Sequence, residues 1–384
     1  MKLLLYSHDW APTIGGTQTI TTLLARGLAN RFDGAGWIDV TLVTNTPRGG
    51  MDDATVPWRI VRAPGIWQLT SLLRESDLVH LAGPSLPSLM LAWLLRKTVV
   101  VEHHGFQTIC PNGQLFYTRT RSRCVGHFMA GHYSECISCN RGEGYLRSVS
   151  QWMFTFVRRW LCKHVAANIT PTEWLAAQLQ LPRMTTIHHG VPDGAPEMAE
   201  HSFVEPMRFA FLGRLVSTKN VPLLLRAMAE LRANGTPCQL LIVGDGPERK
   251  SLEALASRLQ ILNAISFLSY VPEADLDRSL SGVVSVVSPG ASGEVFGLAA
   301  AENMRRGRIA IVPANSAIAE VVGDSGLTFS EGDASGLAAA MRQLIVQPDL
   351  RRRLSIAARE RSSAVFSEEA MVNSHIALYR SLKS

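Results

Sequence analysis

Short apolar runs alternate with helix-period segments along most of the chain. In the first half, the strand-like runs lie at 3–8, 40–45, 77–82 and 98–104. Most of them are nearly continuous in apolar residues, which is typical of strands buried on both faces of a parallel sheet. Between these runs, segments such as 17–31 carry apolar residues at helical spacing.

The second half repeats this plan. Its strand-like runs lie at 208–213, 239–244, 264–269, 283–288 and 308–313. Helical patterns separate them, for example 221–235, which ends in Gly235 as helices commonly do. The repetition predicts an α/β chain with two doubly wound, Rossmann-like domains, and ligands bind at the carboxyl ends of such strands.

The pattern breaks at 192–207, which has three Pro, four acidic residues and no periodicity. We therefore expect four parts. They are an N-terminal domain at 1–192 with an irregular insertion at about 106–146, a linker at 193–206, a C-terminal domain at 207–362, and a last helix at 363–384. Within the insertion, the segment 119–145 matches no strand or helix pattern.

The composition narrows the class of protein. A chain of 384 residues with 46% hydrophobic residues has the length of two globular domains. No apolar run reaches the roughly 18 residues that cross a bilayer, and the start lacks the pattern of a signal peptide. These features favour a cytoplasmic protein.

The basic charge is concentrated in the first half. Residues 1–192 carry 18 Lys and Arg against 11 Asp and Glu, whereas residues 193–384 carry 20 against 21. A local basic field attracts an anionic substrate or membrane, unless it is only solvated surface. No recognition motif accompanies the charge, so nucleic acid is the least supported partner.

Two loops that follow predicted strands have residues suited to phosphate. Gly15 and Gly16 precede a helix start, where backbone N–H groups can approach an anion, although a plain turn is the simpler interpretation. Arg214 and Lys219 follow the first strand of the second domain and could neutralise a pyrophosphate, unless they are surface charges.

The segment 288–307 has the most specific pattern. Glu294 and Glu302 stand eight residues apart, and a helix is expected to begin near Gly297. The backbone amides of Phe296, Gly297 and Leu298 would then form a helix N-terminus, which favours phosphate. The alternative is a capping Glu followed by an ordinary helical Glu.

Together these motifs make the chain resemble retaining glycosyltransferases of the GT-B fold, specifically family four. The resemblance runs along the whole chain and includes Gly15-Gly16, GRLVSTK at 213–219, IVGDGPE at 242–248 and EVFGLAAAE at 294–302. It implies that the two domains face a cleft and that the last helix packs back on the first domain.

The resemblance also implies roles for individual residues. Arg214 and Lys219 would hold the diphosphate of a nucleotide-sugar, Glu294 would contact the sugar, and Glu302 the ribose. The remaining donor-binding residues would be Gly15, Gly16, Gly244, Tyr270, Val271, Phe296, Gly297 and Leu298. Catalysis would need no metal or other cofactor.

His104 matches a His that this family carries at the end of a first-domain strand, where it would face the sugar and the acceptor. The catalytic set implied is therefore Glu294, His104, Arg214 and Lys219. His103 is its neighbour on the strand, so only one of the two should point to the cleft.

Some positions depart from the family pattern. Val295, Asn303 and Arg305 replace small residues near the Glu pair, and His189 stands where Asn is common. None removes a proposed charge. They do leave open a second hypothesis, a non-catalytic GT-B-like partner subunit that binds nucleotide without turnover.

The insertion contains four cysteines, Cys110, Cys124, Cys136 and Cys139, of which only the last two form a C-x2-C pair. They suggest a structural zinc site, with His127 and His132 as substitute ligands, or else free thiols.

The segment 148–164 predicts a helix with Trp152, Phe156 and Trp160 on one stripe. Such a helix either touches an anionic membrane or packs on the first sheet.

The sequence thus predicts a hexosyltransferase-type enzyme with a nucleoside-diphosphate sugar donor and a saccharide or lipid-linked acceptor. By resemblance, its setting would be cell-surface polysaccharide or glycolipid synthesis, in the cytoplasm or peripheral on the inner face of the membrane.

Overall fold

The computed structural model of the chain describes residues 1–13, 15–29, 31–32, 36–49, 52–192, 206–290 and 292–383. It divides into two compact units. Unit 1 comprises Met1–Thr120, Cys124–Pro192 and Phe366–Ser384, and unit 2 comprises Arg121–Arg123 and Asp193–Val365. The predicted linker at 193–206 lies, except for residue 206, outside the described residues.

Unit 1 is built on a seven-stranded parallel sheet. Its spatial order is β3-β2-β1-β4-β5-β8-β9, and every pairing is parallel. The strands are β1 Lys2–Ser7, β2 Asp39–Thr44, β3 Arg59–Arg62, β4 Leu78–Ala82, β5 Val99–Glu102, β8 Ala167–Thr170 and β9 Met184–Thr186. Two further strands of two residues each, β6 Phe116–Tyr117 and β7 Ser122–Arg123, lie in the insertion.

Helices lie in most of the crossovers between the parallel strands of this sheet, and between β2 and β3 the structure describes a 3₁₀ turn at Asp53–Thr55. The helices are α1 Gly16–Leu28, α2 Ile66–Glu75, α3 Leu86–Leu94, α4 Tyr133–Cys139, α5 Tyr145–Cys162, α6 Glu173–Leu179 and α14 Glu368–Ser381. α14 comes from the end of the chain and packs against α1, where Arg26 pairs with Glu368 at 2.6 Å. The last turns of the chain thus complete unit 1.

The central strands of unit 1 are buried on both faces, as their apolar runs predict. Every residue of β4, β5 and β8 is buried. These strands nevertheless contain His80, Glu102 and Asn168, which are 0–1% exposed. Because a buried polar group needs a hydrogen-bond or ion-pair partner, these three residues indicate a polar network inside unit 1.

Unit 2 has a six-stranded parallel sheet in the order β12-β11-β10-β13-β14-β15. Its strands are β10 Met207–Leu212, β11 Cys238–Val243, β12 Ile265–Leu268, β13 Val283–Val287, β14 Ile309–Pro313 and β15 Leu327–Phe329. Its helices are α7 Val221–Ala233, α8 Arg249–Arg258, α9 Glu273–Ser279, α10 Leu298–Arg305, α11 Ala317–Val322, α12 Ala334–Val346 and α13 Pro348–Val365.

The predicted fold class is confirmed, since both sheets are parallel, Rossmann-like and flanked by helices. The prediction that 119–145 holds no regular element is wrong in part, because β7 and α4 lie within it. α4 reads YSECISC over seven residues, which is too short to show an apolar period. None of the helices in the described ranges is long and apolar enough to span a bilayer.

Candidate active site

The loop after β10 is tied to the neighbouring strands of unit 2. The amide of Gly213 donates to the carbonyl of Val243 at 3.0 Å, and that of Leu215 donates to the carbonyl of Asp245 at 2.8 Å. The loop ends in a 3₁₀ turn at Ser217–Lys219. Arg214 and Lys219 are therefore carried on an anchored segment at the carboxyl end of the sheet.

Two glycines let this loop approach its neighbours. Gly244 has φ +138°, and a Cβ there would lie 2.1 Å from the carbonyl oxygen of Gly213. A Cβ at Gly290, after β13, would lie 2.2 Å from the carbonyl oxygen of Thr218. Since no side chain fits either gap, the loops after β10, β11 and β13 form one close-packed surface.

Lys219 and Glu294 form an ion pair on this surface, with 28% and 25% of their side chains exposed. Arg214 is exposed, and among the described residues its guanidinium has no hydrogen-bond or ion-pair partner. The site thus offers one unpaired guanidinium beside a partly shielded ammonium–carboxylate pair. A diphosphate is the kind of ligand that such a pair of cations suits.

α10 begins at Leu298, just after Glu294, as predicted, and Glu302 lies within it, half-buried. Gly297 precedes the helix with φ +90°. The Phe296 side chain is only 1% exposed, so this residue can offer a ligand its backbone but not its ring.

The predicted base-binding residues follow β12. Tyr270 is 63% exposed, whereas Val271 is half-buried and packs against the core of unit 2. Both lie at the carboxyl edge of the sheet, as a ligand-binding position requires.

One departure from the family pattern has a structural explanation. Asn303 accepts a hydrogen bond from the buried Arg308 guanidinium at 3.1 Å, and Asp277 lies 3.5 Å from the same guanidinium. Burial lowers the pKa of Arg308, and the Asp277 charge opposes that effect. Asn303 therefore provides a hydrogen-bond acceptor for a buried guanidinium of unit 2. Val295 is 8% exposed, and nothing in the described contacts explains its replacement of a smaller residue.

Unit 1 has a pocket of about 390 Å³ at the carboxyl ends of β1 and β4. His104 lines it, directly after β5. Other polar lining residues are Ser7, His8, Asp9, Thr17, Gln18, Asn45, Ser85, Gln107 and Arg158. Gly15 and Gly16, where α1 begins, are not among the lining residues, although the next two positions are.

The two adjacent histidines have different surroundings. His103 is fully buried, and its Nε2 lies 2.9 Å from Oδ1 of Asn168. Burial lowers the pKa of His103 to about 4. His104 is the one that lines the pocket, so the two neighbouring side chains point to different surroundings.

Sequence reasoning missed a buried cluster behind His104. Glu102 is 1% exposed and lies within 4 Å of four histidines, His80, His104, His189 and His375. The rings of His104 and His189 stack, with centroids 5.1 Å apart and planes at 25°. The available signal was a charged residue ending a continuous apolar strand, together with the replacement of Asn by His189.

The four cysteines of the insertion are free thiols, and Cys110 and Cys136 are buried. Asn112 connects two of them, since Cys110 Sγ lies 3.0 Å from its Oδ1 and Cys139 Sγ 3.6 Å from its Nδ2. Burial and the neighbouring thiols raise the pKa of Cys136 to about 12. The four cysteines thus lie in one region, but among the described residues they are not a group whose ligand atoms all lie within 4.8 Å of one another. Cys139 Sγ instead accepts from the amide of Thr118 at 3.4 Å.

The aromatic stripe of α5 is divided between two environments. The rings of Trp152 and Phe156 contact Tyr133 of α4. Trp160 is 47% exposed and contacts Trp93 of α3, which is 50% exposed. Arg159 donates to backbone carbonyls of α6 and its C-terminal cap, so its charge serves unit 1 itself.

Comparison with known proteins gives consistent matches on both halves. The family model described as Glycosyl transferases group 1 matches residues 197–361, and that of Glycosyltransferase Family 4 matches residues 14–194. The chain is 25% identical to glycogen synthase from Mycobacterium tuberculosis over 407 residues, 100% of this chain and 95% of the relative. It is 28% identical to the lipopolysaccharide core biosynthesis glycosyltransferase LpsE from Rhizobium meliloti over 316 residues, 82% of each.

Among solved structures, HepE from Anabaena, in complex with UDP and glucose, has a TM-score of 0.72 at 14% identity. The likeness covers 99% of this chain and 100% of that one, and at this identity it shows the fold alone. Two Rossmann-like sheets with this likeness have the GT-B fold.

The two family matches lie on successive parts of the chain, which thus resembles the glycosyltransferases of family four along most of its length. The family resemblance stated from the sequence is confirmed. The matched relatives carry the names of glycosyltransferases and a synthase, so the comparisons do not favour a non-catalytic subunit.

Proposed function

We propose that this glycosyltransferase transfers a hexosyl group from a nucleoside-diphosphate sugar to an acceptor hydroxyl, with retention of anomeric configuration. The observation that carries the proposal is the surface formed by Arg214, Lys219 and Glu294 at the carboxyl end of the unit 2 sheet. A structural neighbour solved with UDP and glucose supports this class of donor.

On this proposal, Arg214 and Lys219 neutralise the donor diphosphate, both in the bound state and as it departs. Glu294 accepts hydrogen bonds from sugar hydroxyls, and Glu302 from the ribose. Gly244, Tyr270 and Val271 border the base, and the backbone at Phe296, Gly297 and Leu298 lies beside the phosphates. Two fixed cations at the leaving group can supply the charge stabilisation that catalysis of this step needs, so no metal is required.

The transfer breaks the bond between the anomeric carbon and the phosphate oxygen and forms a bond to the acceptor oxygen on the same face. The acceptor proton passes to the departing phosphate. Among the described residues of the site we assign none as the nucleophile of a covalent intermediate, since Glu294 is paired with Lys219, and we therefore favour this route.

The unit 1 pocket suits an acceptor with hydroxyl groups, because most of its lining side chains are polar and its volume is about 390 Å³. The relative LpsE is named for lipopolysaccharide core synthesis. We therefore propose a saccharide or lipid-linked acceptor, and a role in cell-surface polysaccharide or glycolipid synthesis.

Thermal unfolding with a panel of nucleoside diphosphates and nucleotide-sugars tests the donor site. A ligand that binds only the folded protein raises the midpoint by mass action. We expect a rise with one base family in the parent protein and its loss in Arg214→Ala. The matched control, Arg226→Ala, changes an exposed arginine of α7 and should keep the rise. The absence of any nucleotide-dependent rise in the parent would contradict the proposal.

An exposed apolar surface of unit 1 favours a peripheral membrane location. We define this surface by its members on α3 and α5, Met90, Trp93, Leu94, Met153, Phe154 and Trp160, each at least 46% exposed. Exposed basic residues of the same helices and their ends include Arg147 and Lys163. Aromatic rings with nearby cations suit the interface of an anionic bilayer.

Vesicle sedimentation tests this location. We expect the parent to bind vesicles that contain anionic phospholipid and to bind zwitterionic vesicles more weakly. The double change Trp93→Ser and Trp160→Ser should abolish most of the binding. Equal recovery of parent and variant in the pellet would contradict the assignment.

A further inference from the structure

The buried cluster behind His104 surrounds a single carboxylate. Glu102 Oε2 lies 3.1 Å from Nε2 of His80, 3.7 Å from that of His104 and 3.8 Å from that of His375. Glu102 Oε1 lies 3.3 Å from Nε2 of His189. The proposed catalytic machinery does not otherwise use Glu102, so its charge, 1% exposed, needs an explanation.

Glu102 is ionised in this setting. Burial alone would raise its pKa, but the nearby imidazoles, His104 foremost, hold the pKa well below its usual value. An ionised carboxylate can only accept hydrogen bonds. Its negative charge therefore stabilises an N–H on an imidazole nitrogen that faces it and destabilises a lone pair there.

This rule fixes the tautomer of His80. Burial lowers the pKa of His80, so its ring is neutral and has one N–H. Its Nε2 lies 3.1 Å from the carboxylate and carries that hydrogen. Nδ1 is then an acceptor, and it receives the hydroxyl of Tyr379 at 2.7 Å. A directed chain thus runs from Tyr379 through His80 to Glu102.

The same rule applies to His104. Its Nε2 is buried and, among the described residues, has no hydrogen-bond partner; the carboxylate of Glu102 is the charged group it faces. At 3.7 Å the contact is electrostatic rather than a formed hydrogen bond, and it still favours N–H over a lone pair at that atom. Stacking on His189 holds the plane of the ring.

The other groups around the carboxylate do not reverse this preference. His375 of α14 donates from Nδ1 to the carbonyl of Met371 at 2.8 Å, so in its neutral form it turns the Nε2 lone pair to Glu102, at 3.8 Å, the longest of the four distances. Burial lowers the pKa of His189 to about 4, so it is neutral. His103 points to Asn168 of β8. No Lys or Arg is among the ion-pair partners of Glu102 in the described part of the chain.

We propose that Glu102 is the positioning residue for His104: it keeps the proton on Nε2 and so leaves the Nδ1 lone pair for the pocket that His104 lines. There Nδ1 accepts a hydrogen bond from a substrate hydroxyl. This role rests on the proposed glycosyl transfer. It also gives α14 a part in the site, since Tyr379 and His375 belong to the cluster.

A metal ion is the alternative for this cluster. Two overlapping sets, His80–Glu102–His375 and Glu102–His104–His189, each have ligand atoms within 4.8 Å of one another. A metal held by the second set would need the lone pair of His104 on Nε2 and its proton on Nδ1. The two accounts therefore predict opposite tautomers of His104.

The first experiment reads this tautomer directly. The imidazole nitrogens of the ¹⁵N-histidine-labelled protein are observed by NMR at about pH 8, and the His104 signals are assigned by their loss in His104→Gln. We expect the Nε2–H form in the parent and a mixture of tautomers in Glu102→Gln. An Nδ1–H form in the parent, tautomers unchanged in Glu102→Gln, or a stoichiometric metal lost in Glu102→Gln overturns the proposal. This readout needs no turnover, so it stands apart from any failure of the proposed function.

The second experiment measures whether Glu102 acts through His104. We expect Glu102→Gln to lower kcat on the order of 100-fold with little change in the KM for donor, because a substrate hydroxyl that His104 no longer orients reacts more slowly. His104→Ala should cost at least as much, and the double variant should lose no more than His104→Ala alone. Losses that multiply in the double variant overturn the proposal.

Two further variants guard against a simple folding defect. Glu75→Gln makes the same change at an exposed carboxylate of α2 and should leave kcat unchanged. Tyr379→Phe keeps the ring and removes only the hydroxyl that fixes His80, and we expect a several-fold fall in kcat. If Glu102→Gln does not fold, the parent tautomer and Tyr379→Phe decide the question, and a parent-like kcat in Tyr379→Phe together with an Nδ1–H tautomer of His104 overturns the proposal.

Discussion

At the scale of single residues, the loops after β10 and β11 of unit 2 can pack together because Gly244 has no side chain. Gly244 has φ +138°, and its Cα lies against the carbonyl of Gly213. A Cβ would push the loop that carries Arg214 and Lys219 away from the sheet. The geometry of the cations is thus linked to a backbone contact that only glycine allows.

We predict that Gly244→Ala lowers the free energy of unfolding by about 1–3 kcal/mol and abolishes the nucleotide-dependent rise in melting midpoint. The control is Gly65→Ala, since a Cβ at Gly65 meets nothing within 4 Å. Thermal unfolding with and without nucleotide measures both effects. A variant that keeps the full nucleotide response would contradict the role given to this contact.

Asn303 is a residue whose side chain stabilises a buried charge, that of Arg308. Its amide oxygen accepts from Arg308, which is 1% exposed. We expect Asn303→Ala to lower the free energy of unfolding by about 1–3 kcal/mol, because the guanidinium loses a partner that water cannot replace. Urea denaturation measures the change. Asn234→Ala, at the exposed end of α7, is the control, and equal stability of the two variants would refute the explanation.

At the scale of elements, the junction of β5 and β8 makes unit 1 sensitive to acid. His103 Nε2 donates to Asn168, and burial lowers the pKa of His103 from 6.5 to about 4. Between these values the unfolded chain binds a proton that the folded chain does not. The stability from His103 is therefore complete above about pH 6.5 and is lost as the pH falls towards about 4.

The size of this effect is on the order of 3 kcal/mol for a shift of this extent. We predict that the urea midpoint falls between pH 7 and pH 5, and that His103→Gln, which keeps a donor but does not titrate, reduces the slope. A slope unchanged in His103→Gln would show that other groups cause the acid sensitivity. His189, with a pKa of about 4, adds to the slope in both proteins.

The insertion has few regular elements, so its pattern of apolar residues explains little of its stability. We propose that zinc, held by Cys110, Cys124, Cys136 and Cys139, stabilises this irregular segment. Metal analysis of the purified protein should find about one zinc per chain. A chelator should lower the melting midpoint, and Cys139→Ser should lose the metal. The control Cys162→Ala changes a buried thiol of α5 and should keep it. A parent protein without zinc would refute the site.

The sequence predicts strands and helices better than it predicts which side chains meet in the folded protein. β4, β5 and β13 were predictable because all but one residue of each is apolar, which is the pattern of a parallel strand buried on both faces. β9 and β15, of three residues each, are too short to show a pattern. α4 was missed for the same reason.

The cluster around Glu102 could not be predicted from local sequence patterns. Its members come from β4, β5, the segment after β9 and α14, and His80 meets Tyr379 across 299 positions of sequence. No local pattern encodes such a contact, since it arises only when the sheet order and the return of α14 are known. Lys219 and Glu294 each lie in a family motif, so the sequence could single them out as candidates, but it did not predict that they pair.

At the scale of the whole molecule, the two halves differ in charge and in chemistry. The basic half contains the polar pocket and most of the histidine cluster, to which α14 adds His375 and Tyr379. The nearly neutral half contains the Arg214, Lys219 and Glu294 surface. Each half also matches its own family model. On our account, the first half selects the acceptor and the second half holds and activates the donor.

Turnover of a nucleotide-sugar is the most direct test of this account. The release of nucleoside diphosphate and the anomeric configuration of the product would be measured with the donor found by thermal unfolding and a panel of saccharide and lipid-linked acceptors. We predict acceptor-dependent release with retention, lowered on the order of 100-fold in folded Arg214→Ala and Glu294→Ala. Tight nucleotide binding without turnover, or variants that transfer sugar at the parent rate, would contradict it.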